Sequence, residues 1–474
     1  MARKPATQSK AAPAAPARRR KSPGLVKPKR DTRVRDDFIP SEGYISRDFM
    51  ERENERLWPR VWQVACRVEE IPRVGDYVTY EVARQSIMVV RTAPDTIQSF
   101  HNVCQHRGRR LKDANSRGNA SSFFCKFHGW SWKIDGSVER ILDPEDWSEC
   151  KDFSADDLHL KETLVDTWGG WVFINMDLEA APLREYLGDV IDYLDAFEFD
   201  RMRIRWHKTV IFPCNWKVAL EAFNEGYHVA GSHPQLLQFQ GDDHTFCETH
   251  GIHAFFAQGT AGKGVARPLG APTPRTGKPM PADTRQGLVD FYNNLNETLA
   301  AVFTPLSTQA TARVLTEVPA GTPPIDTLLQ AFAFQKEAAH AAGSGWPEQL
   351  SLEKQGAAGT AWHVFPAQIL NFAADGLLSY RARPWGDDPN FCLFDIWSLQ
   401  RYAPGAEPPV VHEFYTDWTQ DTIKNFGLIL AQDFANMGEV QAGQHSLGFA
   451  GGRTNPFQER TVSNFHRMVR EWIK

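Results

Sequence analysis

Two short cysteine–histidine pairs constrain the fold of this chain more than any other feature. The first is Cys104-x-His106 and the second is Cys125-x-x-His128, with 18 residues between His106 and Cys125. Turn residues recur around both pairs, which predicts that each pair lies at the tip of a hairpin loop. Four such side chains in one place can bind a tetrahedral zinc ion, or a [2Fe–2S] cluster in which two histidines replace two cysteines. The fold must therefore bring two loop tips together.

The sequence around these pairs has the pattern of a small antiparallel β-domain. Residues 77–82 and 86–91 are rich in β-branched and aromatic residues and are typical of paired strands. We predict that this domain spans 63–168, between an N-terminal part of a second domain at 38–62 and the remainder of that domain at 169–474.

A second chemical signal lies on a helix that is predicted to run from Trp216 to His228. Glu225 and His228 are three residues apart, so they fall on one face of such a helix. His233 lies about 140° further round a regular helix, so it can face the same ion only if the helix breaks. A glycine two residues before His233 and a proline directly after it supply that break.

A carboxylate from elsewhere in the chain can complete this second site. Asp433 lies among apolar residues on a long helix that we predict at 417–441, where an unpaired acid would be costly to bury. Two imidazoles and one carboxylate leave one side of an octahedral ion open, as in non-haem iron(II) oxygenases. We therefore predict that His228, His233 and Asp433 bind a mononuclear iron.

The composition excludes several classes of protein. With 474 residues, 42% of them hydrophobic, the chain can bury a large core and is expected to form two domains. Residues 1–30 hold ten Lys or Arg and no acid, so the remainder carries 43 basic against 58 acidic residues. An acidic body argues against nucleic acid as the main partner. No apolar run approaches the roughly 18 residues of a membrane helix, which argues against a membrane protein.

The ends of the chain and its cysteines give two further expectations. The basic tail at 1–37 is expected to be disordered, and no apolar signal-peptide core follows it, so the predicted location is the cytoplasm. An odd number of cysteines, seven, argues against a disulfide framework and leaves thiolates free to bind metal.

Two other segments carry weaker signals. Residues 260–350 begin with a Gly- and Pro-rich stretch and continue as three helical segments. This helical insertion is a candidate lid over a substrate entrance, or it packs on a neighbouring subunit, and the sequence favours neither. A cluster of potential ligands, His244, Cys247, His250 and His253, lies on a predicted strand, where alternate side chains point apart, so we do not expect a metal there.

The order of these signals resembles the large (alpha) subunit of Rieske non-haem iron aromatic ring-hydroxylating oxygenases, from about residue 40 to the C-terminus. The family implies an α+β fold, in which an antiparallel β Rieske [2Fe–2S] domain is inserted in a catalytic domain with a curved antiparallel sheet wrapped around long helices. It implies that the cluster ligands are Cys104, His106, Cys125 and His128. The chain departs from the family at Lys126, where proline is usual.

The resemblance also implies an activity and a set of partners. The expected reaction uses O2 and electrons from NAD(P)H, passed on by a reductase and in some systems a ferredoxin, to hydroxylate an aromatic or other cyclic apolar substrate. The expected assembly is a homotrimer or an α3β3 complex, in which the cluster of one subunit serves the iron of the next.

Glu225 occupies the position where this family has an aspartate that bridges the two metal centres. We predict that Glu225 is the catalytic carboxylate of the chain and that it orients an imidazole on each side of the subunit contact. Glutamate here is similar to the quaternary-amine branch of the family, so a quaternary-amine or O/N-demethylating Rieske monooxygenase is the main alternative.

Two rivals come from other classes of protein. Glu225-x-x-His228 and Glu337-x-x-His340 together resemble the motifs of a di-iron carboxylate helical bundle, but the many predicted strands argue against it. A non-catalytic Rieske electron carrier would need only the cysteine–histidine pairs and leaves the other 300 or so residues without a role.

Overall fold

A computed structural model describes residues 32–150, 154–237, 244–259 and 282–474. Most of the predicted disordered tail at 1–37 and the Gly- and Pro-rich start of the insertion at 260–281 lie outside these residues. Within the described ranges, no helix combines the length and the apolar character needed to cross a bilayer.

The described strands fall mainly into two stretches of the chain, before and after the helical insertion. In order they are β1 Ile39–Pro40, β2 Gln63–Arg67, β3 Asp76–Val82, β4 Gln85–Ala93, β5 Thr96–His101, β6 Arg117–Asn119, β7 Ser122–Phe124, β8 Ser131–Lys133, β9 Val138–Arg140, β10 Glu162–Trp168, β11 Trp171–Asn175, β12 Arg203–Phe212, β13 Thr245–His250, β14 His253–Gln258, β15 Ala361–Val364, β16 Gln368–Phe372, β17 Gly376–Pro384, β18 Cys392–Gln400, β19 His412–Tyr415 and β20 Gly451–Gly452.

Helices occupy both ends of the chain and the insertion. The α-helices are Glu42–Ile45, Arg47–Arg52, Leu183–Leu187, Asp189–Leu194, Trp216–Glu221, Val229–Ser232, Thr284–Thr298, Pro305–Ala312, Val314–Glu317, Pro324–Ala341, Leu352–Ala357, Thr422–Gln444 and Arg460–Trp472. A π-helical turn spans Glu53–Leu57, and 3-10 turns span Val68–Glu70, Pro144–Trp147, Ala155–Leu158, Asp195–Phe197 and Phe199–Arg201.

The first large sheet contains strands of the predicted β-domain and one further strand, β11, which lies beyond the predicted end of the domain at residue 168. Its seven strands are antiparallel and have the order β2-β11-β10-β5-β4-β3-β6, and β7-β8-β9 form a separate small sheet. Met88, Val90 and Phe100 of the large sheet pack with Phe123 and Trp132 of the small sheet in one buried cluster. This core holds in place the two loops that carry the cysteine–histidine pairs.

The second large sheet has eight strands in the order β13-β14-β15-β16-β17-β18-β12-β19. All neighbouring pairs are antiparallel except β12 and β19, which run parallel. The parallel pair arises because β12, which comes from earlier in the chain, lies between β18 and β19. Residues 361–372 form two strands of this sheet, β15 and β16, which are joined by a tight turn.

The long helix Thr422–Gln444 packs its apolar face on this second sheet. Phe426 and Phe434 of the helix join a buried cluster with Phe212 and Phe394 of the sheet. The helix is kinked at Gly427, where φ is 83° and an added Cβ would lie 2.1 Å from the carbonyl oxygen of Thr298. Only a residue without a side chain fits this close approach.

The N-terminal segment at 38–62 packs on the C-terminal part of the chain as well as on the β-domain. Lys217 Nζ donates to Glu53 Oε1 over 2.6 Å, and both side chains are buried. Tyr44 Oη lies 3.0 Å from His466 Nε2 on the C-terminal helix. The fold class is therefore the predicted one: an antiparallel β-domain interrupts a second domain whose antiparallel sheet packs against long helices.

Candidate metal centres

The segment that carries the predicted iron histidines begins as expected. Asn215 caps the Trp216–Glu221 helix, since its side-chain oxygen accepts a hydrogen bond from the backbone N–H of Lys217 over 3.1 Å. The prediction of one helix as far as His228 was wrong, because the regular helix ends at Glu221. Glu225 and His228 therefore meet through a turn and not through a helix face.

A close approach of β13 accounts for the early break. An added Cβ at Gly226 would lie 2.8 Å from Cγ2 of Thr245, so the turn packs tightly against that strand. The chain then forms one helical turn, Val229–Ser232, with His228 at its N-cap and His233 at its C-cap. The glycine that was expected to break the helix lies inside this turn. Both histidines thus sit at helix ends, where their rings can converge.

The structure brings His228, His233 and Asp433 together. Each offers one potential ligand atom, and these atoms all lie within 4.8 Å of one another. His233 Nε2 is 2.8 Å from Asp433 Oδ1, and His228 Nε2 is 3.6 Å from the same oxygen. Two ligand atoms at right angles around an ion, each about 2.1 Å from it, lie about 3 Å apart. The three side chains are therefore spaced for one face of an octahedral ion.

The other nitrogen of each imidazole is already occupied. His228 Nδ1 lies 2.8 Å from Glu225 Oε1, and His233 Nδ1 lies 2.8 Å from Gln432 Oε1. Both partners are acceptors, so each Nδ1 carries a proton and each Nε2 faces Asp433, where it can hold either a second proton or a metal ion. Lone pairs that face a carboxylate repel it unless a positive charge lies between them. A divalent cation at this point satisfies all three groups, so the residues fit a mononuclear metal.

The charges around the site support the same conclusion. Burial by itself lowers the pKa of His228, but the charge and hydrogen bond of Glu225, assisted by Asp433, outweigh it and raise that pKa to about 9. The site thus attracts positive charge strongly. Asp433 is 4% exposed on the buried face of its helix, as expected for an acid that needs a cationic partner. The His228 side chain is 25% exposed, so the site can be reached from outside.

The two loops with the cysteine–histidine pairs share one backbone design. The N–H of Cys104 donates to the carbonyl of Arg109, and the N–H of Cys125 donates to the carbonyl of Trp130, each over 2.8 Å. In both loops the glycine four residues after the cysteine donates back to the cysteine carbonyl and has φ near 75°. The glycines are needed because this left-handed conformation is costly for other residues.

These loops place the four predicted cluster ligands together. The His106 and His128 rings have centroids 4.5 Å apart, and Nδ1 of each ring is buried without a hydrogen-bond partner. Such orphaned nitrogens are unfavourable unless they bind a metal. Trp130 stacks on His106 at 4.6 Å and shields it from water.

The two cysteines are also prepared to bind metal. Burial raises the pKa of the Cys104 thiol, and the neighbouring Cys125 raises it further. Burial also raises the pKa of Cys125, but the N–H groups of Phe127 and His128 and the contact with Cys104 outweigh it, so that pKa is lowered. Two sulfurs that share a hydrogen bond, together with two adjacent imidazoles whose Nδ1 atoms have no partner, fit a metal cluster held by two thiolates and two histidines.

Glu225 lies at the base of a cavity of about 380 Å³ that also reaches His228 and Asp433. Glu221 and Glu459 line the same cavity, so its walls are acidic. Burial raises the pKa of Glu459 to about 7, and the negative charges of Glu225 and Glu221 add to this effect. Among the described residues, no hydrogen bond joins Glu225 to the cysteine–histidine loops of its own chain.

A second histidine–carboxylate group was not predicted from the sequence. His207, Asp395 and His412, on β12, β18 and β19, also have potential ligand atoms within 4.8 Å of one another. However, Asp395 Oδ2 is paired with Arg381 at 2.7 Å, and Oδ1 accepts a hydrogen bond from the Thr209 hydroxyl at 2.6 Å. The carboxylate is already satisfied, and the arginine repels a cation. We interpret this group as a polar network that joins neighbouring strands.

The other candidate metal ligands from the sequence form hydrogen bonds and ion pairs elsewhere in the structure. His250 Nδ1 lies 2.8 Å from Asp189, and His253 Nε2 lies 2.8 Å from the carbonyl of Tyr186. Where the sequence predicted one strand, the structure has a hairpin of two, β13 and β14. Glu337 and His340, which the di-iron alternative requires, lie on an insertion helix and pair with Arg313 at 3.0 Å and Glu348 at 3.2 Å respectively.

Sequence reasoning missed several residues around the triad. Gln432 contacts His233 and is itself contacted by Gln235 over 2.7 Å. Tyr44 and His466 both bind the Glu221 carboxylate beside the cavity. A single glutamine or tyrosine belongs to no recognisable sequence motif. The one sequence signal for Gln432 is that it directly precedes Asp433.

Comparison with known families gives two matches. The family model described as "Ring hydroxylating alpha subunit (catalytic domain)" matches residues 197–474, and the "Rieske [2Fe-2S] domain" model matches residues 61–151. Together they imply two cofactors, a Rieske [2Fe–2S] cluster and a mononuclear iron. The two groups of histidines described above fall within these matched ranges.

Individual proteins similar to this chain come from two branches. The glycine betaine monooxygenase oxygenase subunit of Pseudomonas aeruginosa is 29% identical over 200 residues, which is 42% of this chain and 46% of that protein. The anthranilate 1,2-dioxygenase large subunit of Acinetobacter baylyi is 33% identical over 211 residues, 42% of this chain and 44% of that protein. The chain thus spans about half the length of the curated relatives it matches.

A solved structure extends the similarity of fold over nearly the whole chain. A quaternary ammonium Rieske monooxygenase in complex with L-carnitine superposes with a TM-score of 0.60 at 17% identity, covering 92% of this chain and 96% of the other.

Proposed function

Because this chain belongs to the family of ring-hydroxylating alpha subunits, we propose that it is the oxygenase component of a Rieske non-haem iron system. It uses O2 and electrons from a reductase to hydroxylate an aromatic or other cyclic apolar substrate. One observation carries the proposal: two imidazoles with occupied Nδ1 atoms direct their Nε2 atoms at the buried carboxylate of Asp433. This donor set suits an iron(II) with open positions.

We assign the ligands as follows. Cys104, His106, Cys125 and His128 hold the [2Fe–2S] cluster, because they combine two adjacent thiols with two orphaned imidazole nitrogens. The mononuclear iron is held by His228, His233 and Asp433. When bound, the cluster would supply single electrons and the iron(II) would bind and activate O2.

The residues of the chain prepare the mononuclear site for this chemistry. Asp433 and Glu225 carry two negative charges, which balance a divalent ion. Glu225 also orients His228 by accepting its Nδ1 proton, as carboxylates beside metal-bound histidines commonly do. Deep burial of His233 and Asp433 keeps water from that side, while the partial exposure of His228 leaves a path for small molecules.

We further propose that a second copy of the chain completes the site. The tip of the cluster loops is basic and apolar: Arg107 and Lys126 are exposed, and Phe127 is 57% exposed. The cavity above Glu225 is acidic and concave. Complementary charge and an exposed aromatic anchor are typical of a protein interface. The tip of one copy therefore fits the cavity of the next and brings a cluster histidine to Glu225.

A contact between two different surfaces of the same protein repeats from copy to copy, and it closes into a ring when the rotation between copies divides a full turn. This supports the trimer that the resemblance implies, either a homotrimer or an α3β3 complex. The electron donors are a reductase using NAD(P)H and, in a three-component system, a ferredoxin. A cytoplasmic location remains a prediction from the sequence.

We propose the domain boundaries that the sequence suggests: 38–62 and 169–474 for the catalytic domain, with the Rieske domain at 63–168 between them. The buried Lys217–Glu53 pair and the contact of Tyr44 with His466 support this division, because they tie the N-terminal segment to the catalytic part. The insertion at 260–350 stays a candidate lid.

An apolar substrate is supported by the surroundings of Asp433. Apolar side chains, among them Val218, Met437, Val440 and Val462, line the cavity that reaches Asp433. Apolar walls around a few polar groups are typical of sites for apolar ligands. The similarity to the anthranilate dioxygenase subunit points in the same direction.

A second candidate is a monooxygenase that acts on a quaternary amine or removes an O- or N-methyl group. Glutamate at position 225 and the similarity to the glycine betaine monooxygenase subunit favour it. An acidic environment also attracts a cation.

Product analysis under isotopically labelled O2 separates these candidates. The protein with its reductase is supplied with aromatic acids, aromatic hydrocarbons and quaternary amines in parallel. Label in a ring hydroxyl supports the first proposal, and one labelled oxygen with loss of an aldehyde supports the second. Absence of any labelled product, together with an iron content of only two per chain, would refute an oxygenase.

A further inference from the structure

His233 is held between two neighbouring residues of one helix. Asp433 Oδ1 faces its Nε2 at 2.8 Å, and Gln432 Oε1 faces its Nδ1 at 2.8 Å. Consecutive residues on a helix point about 100° apart, so adjacent side chains can reach opposite edges of one ring. A single helix thus determines both the position and the rotation of this imidazole.

The Gln432 amide has a second side-chain partner. Gln235 Nε2 donates to Gln432 Oε1 over 2.7 Å, so the oxygen that faces Nδ1 of His233 also accepts a hydrogen bond from Gln235. The Nδ1 atom of His233 therefore carries the proton, and its Nε2 lone pair is free for a metal.

We propose that Gln432 is a positioning residue that holds His233 in the tautomer and ring orientation required to bind the mononuclear ion. This inference rests on the proposed function of the triad as an iron site. The two histidines are supported differently: His228 by the carboxylate of Glu225, and His233 by a neutral amide. With Glu225 and Asp433 already supplying two negative charges, an amide keeps the divalent site neutral, whereas a third acid would leave excess negative charge.

The test compares iron retention in variants of the full-length protein. Gln432→Leu removes the acceptor at similar volume, and Gln432→Glu keeps it. Gln335→Leu is the control, because it removes a buried glutamine that donates to Thr311 on the insertion. Each protein is challenged with an iron(II) chelator, and the iron released is measured while the visible absorbance of the cluster serves as an internal control.

We expect Gln432→Leu to bind the mononuclear iron about 10–100-fold more weakly, the usual effect of removing such a partner. Gln432→Glu and Gln335→Leu should retain iron as the unaltered protein does. Retention of iron by Gln432→Leu at the unaltered level would overturn the inference. A wild-type protein that holds iron only in its cluster would instead refute the proposed function.

A second variant covers the case in which Gln432→Leu does not fold. Gln235→Leu leaves Gln432 in place but frees its amide to turn, so iron should be lost measurably faster than from Gln335→Leu. Equal rates from these two proteins would overturn the inference.

Discussion

Replacement of Glu225 by Gln is expected to stop turnover and to leave both iron cofactors in place. Glu225 Oε1 accepts the Nδ1 proton of His228 over 2.8 Å. An amide oxygen can still accept this bond, but without the negative charge. A hydrogen bond to a charged group contributes about 1.5–3 kcal/mol, against about 0.5–1.5 kcal/mol for a neutral one. The difference of about 1.4 kcal/mol corresponds to roughly tenfold weaker iron binding, which excess iron(II) overcomes.

Turnover should fall by more than iron binding does. We expect a loss of about 100-fold, which is the upper range for removal of such a partner. Once the amide oxygen is used by His228, the NH2 group of the new side chain replaces Oε2, which accepts hydrogen bonds from the backbone N–H groups of Tyr227 and His228 and which we propose also faces the neighbouring copy. A cluster histidine of that copy also presents an N–H, and two donors cannot form a hydrogen bond. The link between the two metal centres is therefore lost although both centres remain.

The assay measures product formation and, in a single turnover, the reoxidation of a chemically reduced cluster after mixing with O2 and substrate. Asp189→Asn is the matched control, because Asp189 forms a carboxylate contact of the same 2.8 Å length with Nδ1 of His250, away from the triad. Full turnover in Glu225→Gln would refute the bridging role. Loss of iron from this variant even with excess iron(II) would show that Glu225 mainly retains the metal.

Three further predictions test other parts of the account. Asp433→Ala should lose the mononuclear iron and keep the visible spectrum of the cluster; unchanged iron content would show that another acid is the ligand. Charge reversal by Arg107→Glu and Lys126→Glu together should weaken self-association in sedimentation experiments with the cluster intact, and an unchanged oligomer would exclude the tip as an interface. Lys217→Met should lower the free energy of unfolding by about 3–5 kcal/mol in urea, since Glu53 is left as an unpaired buried charge; a loss below about 1 kcal/mol would contradict the importance of this pair.

The cysteine–histidine loops could be predicted from the sequence because their chemistry is local. Each loop needs a cysteine, a histidine two or three residues later and a glycine at the fourth position, and the hydrogen bonds that shape it lie within six residues. The β-domain around them was predicted for a similar reason, because the alternation of apolar and polar residues along a strand indicates which of its side chains are buried.

The mononuclear site was harder to predict because tertiary packing overrode local preference. Residues 216–228 favour a helix, yet the helix stops at Glu221 where Gly226 packs closely against β13. The histidines converge because His228 and His233 lie at the two ends of one short turn, which the spacing did not reveal.

Long-range features gave no sequence signal. The parallel pairing of β12 and β19 depends on strands that are about 200 residues apart. The contact of Gln432 with His233 depends on the same kind of distance along the chain, and glutamine on a helix is common. Such features follow from the assembled fold and cannot be read from periodicity.

The central claim is that one polypeptide holds two separate iron centres, and a count of iron and acid-labile sulfide per chain tests it most directly. The account predicts about three iron atoms and two sulfides in the unaltered protein, and about two iron atoms with two sulfides in Asp433→Ala. Two iron atoms without sulfide, or the same iron content in both proteins, would contradict it.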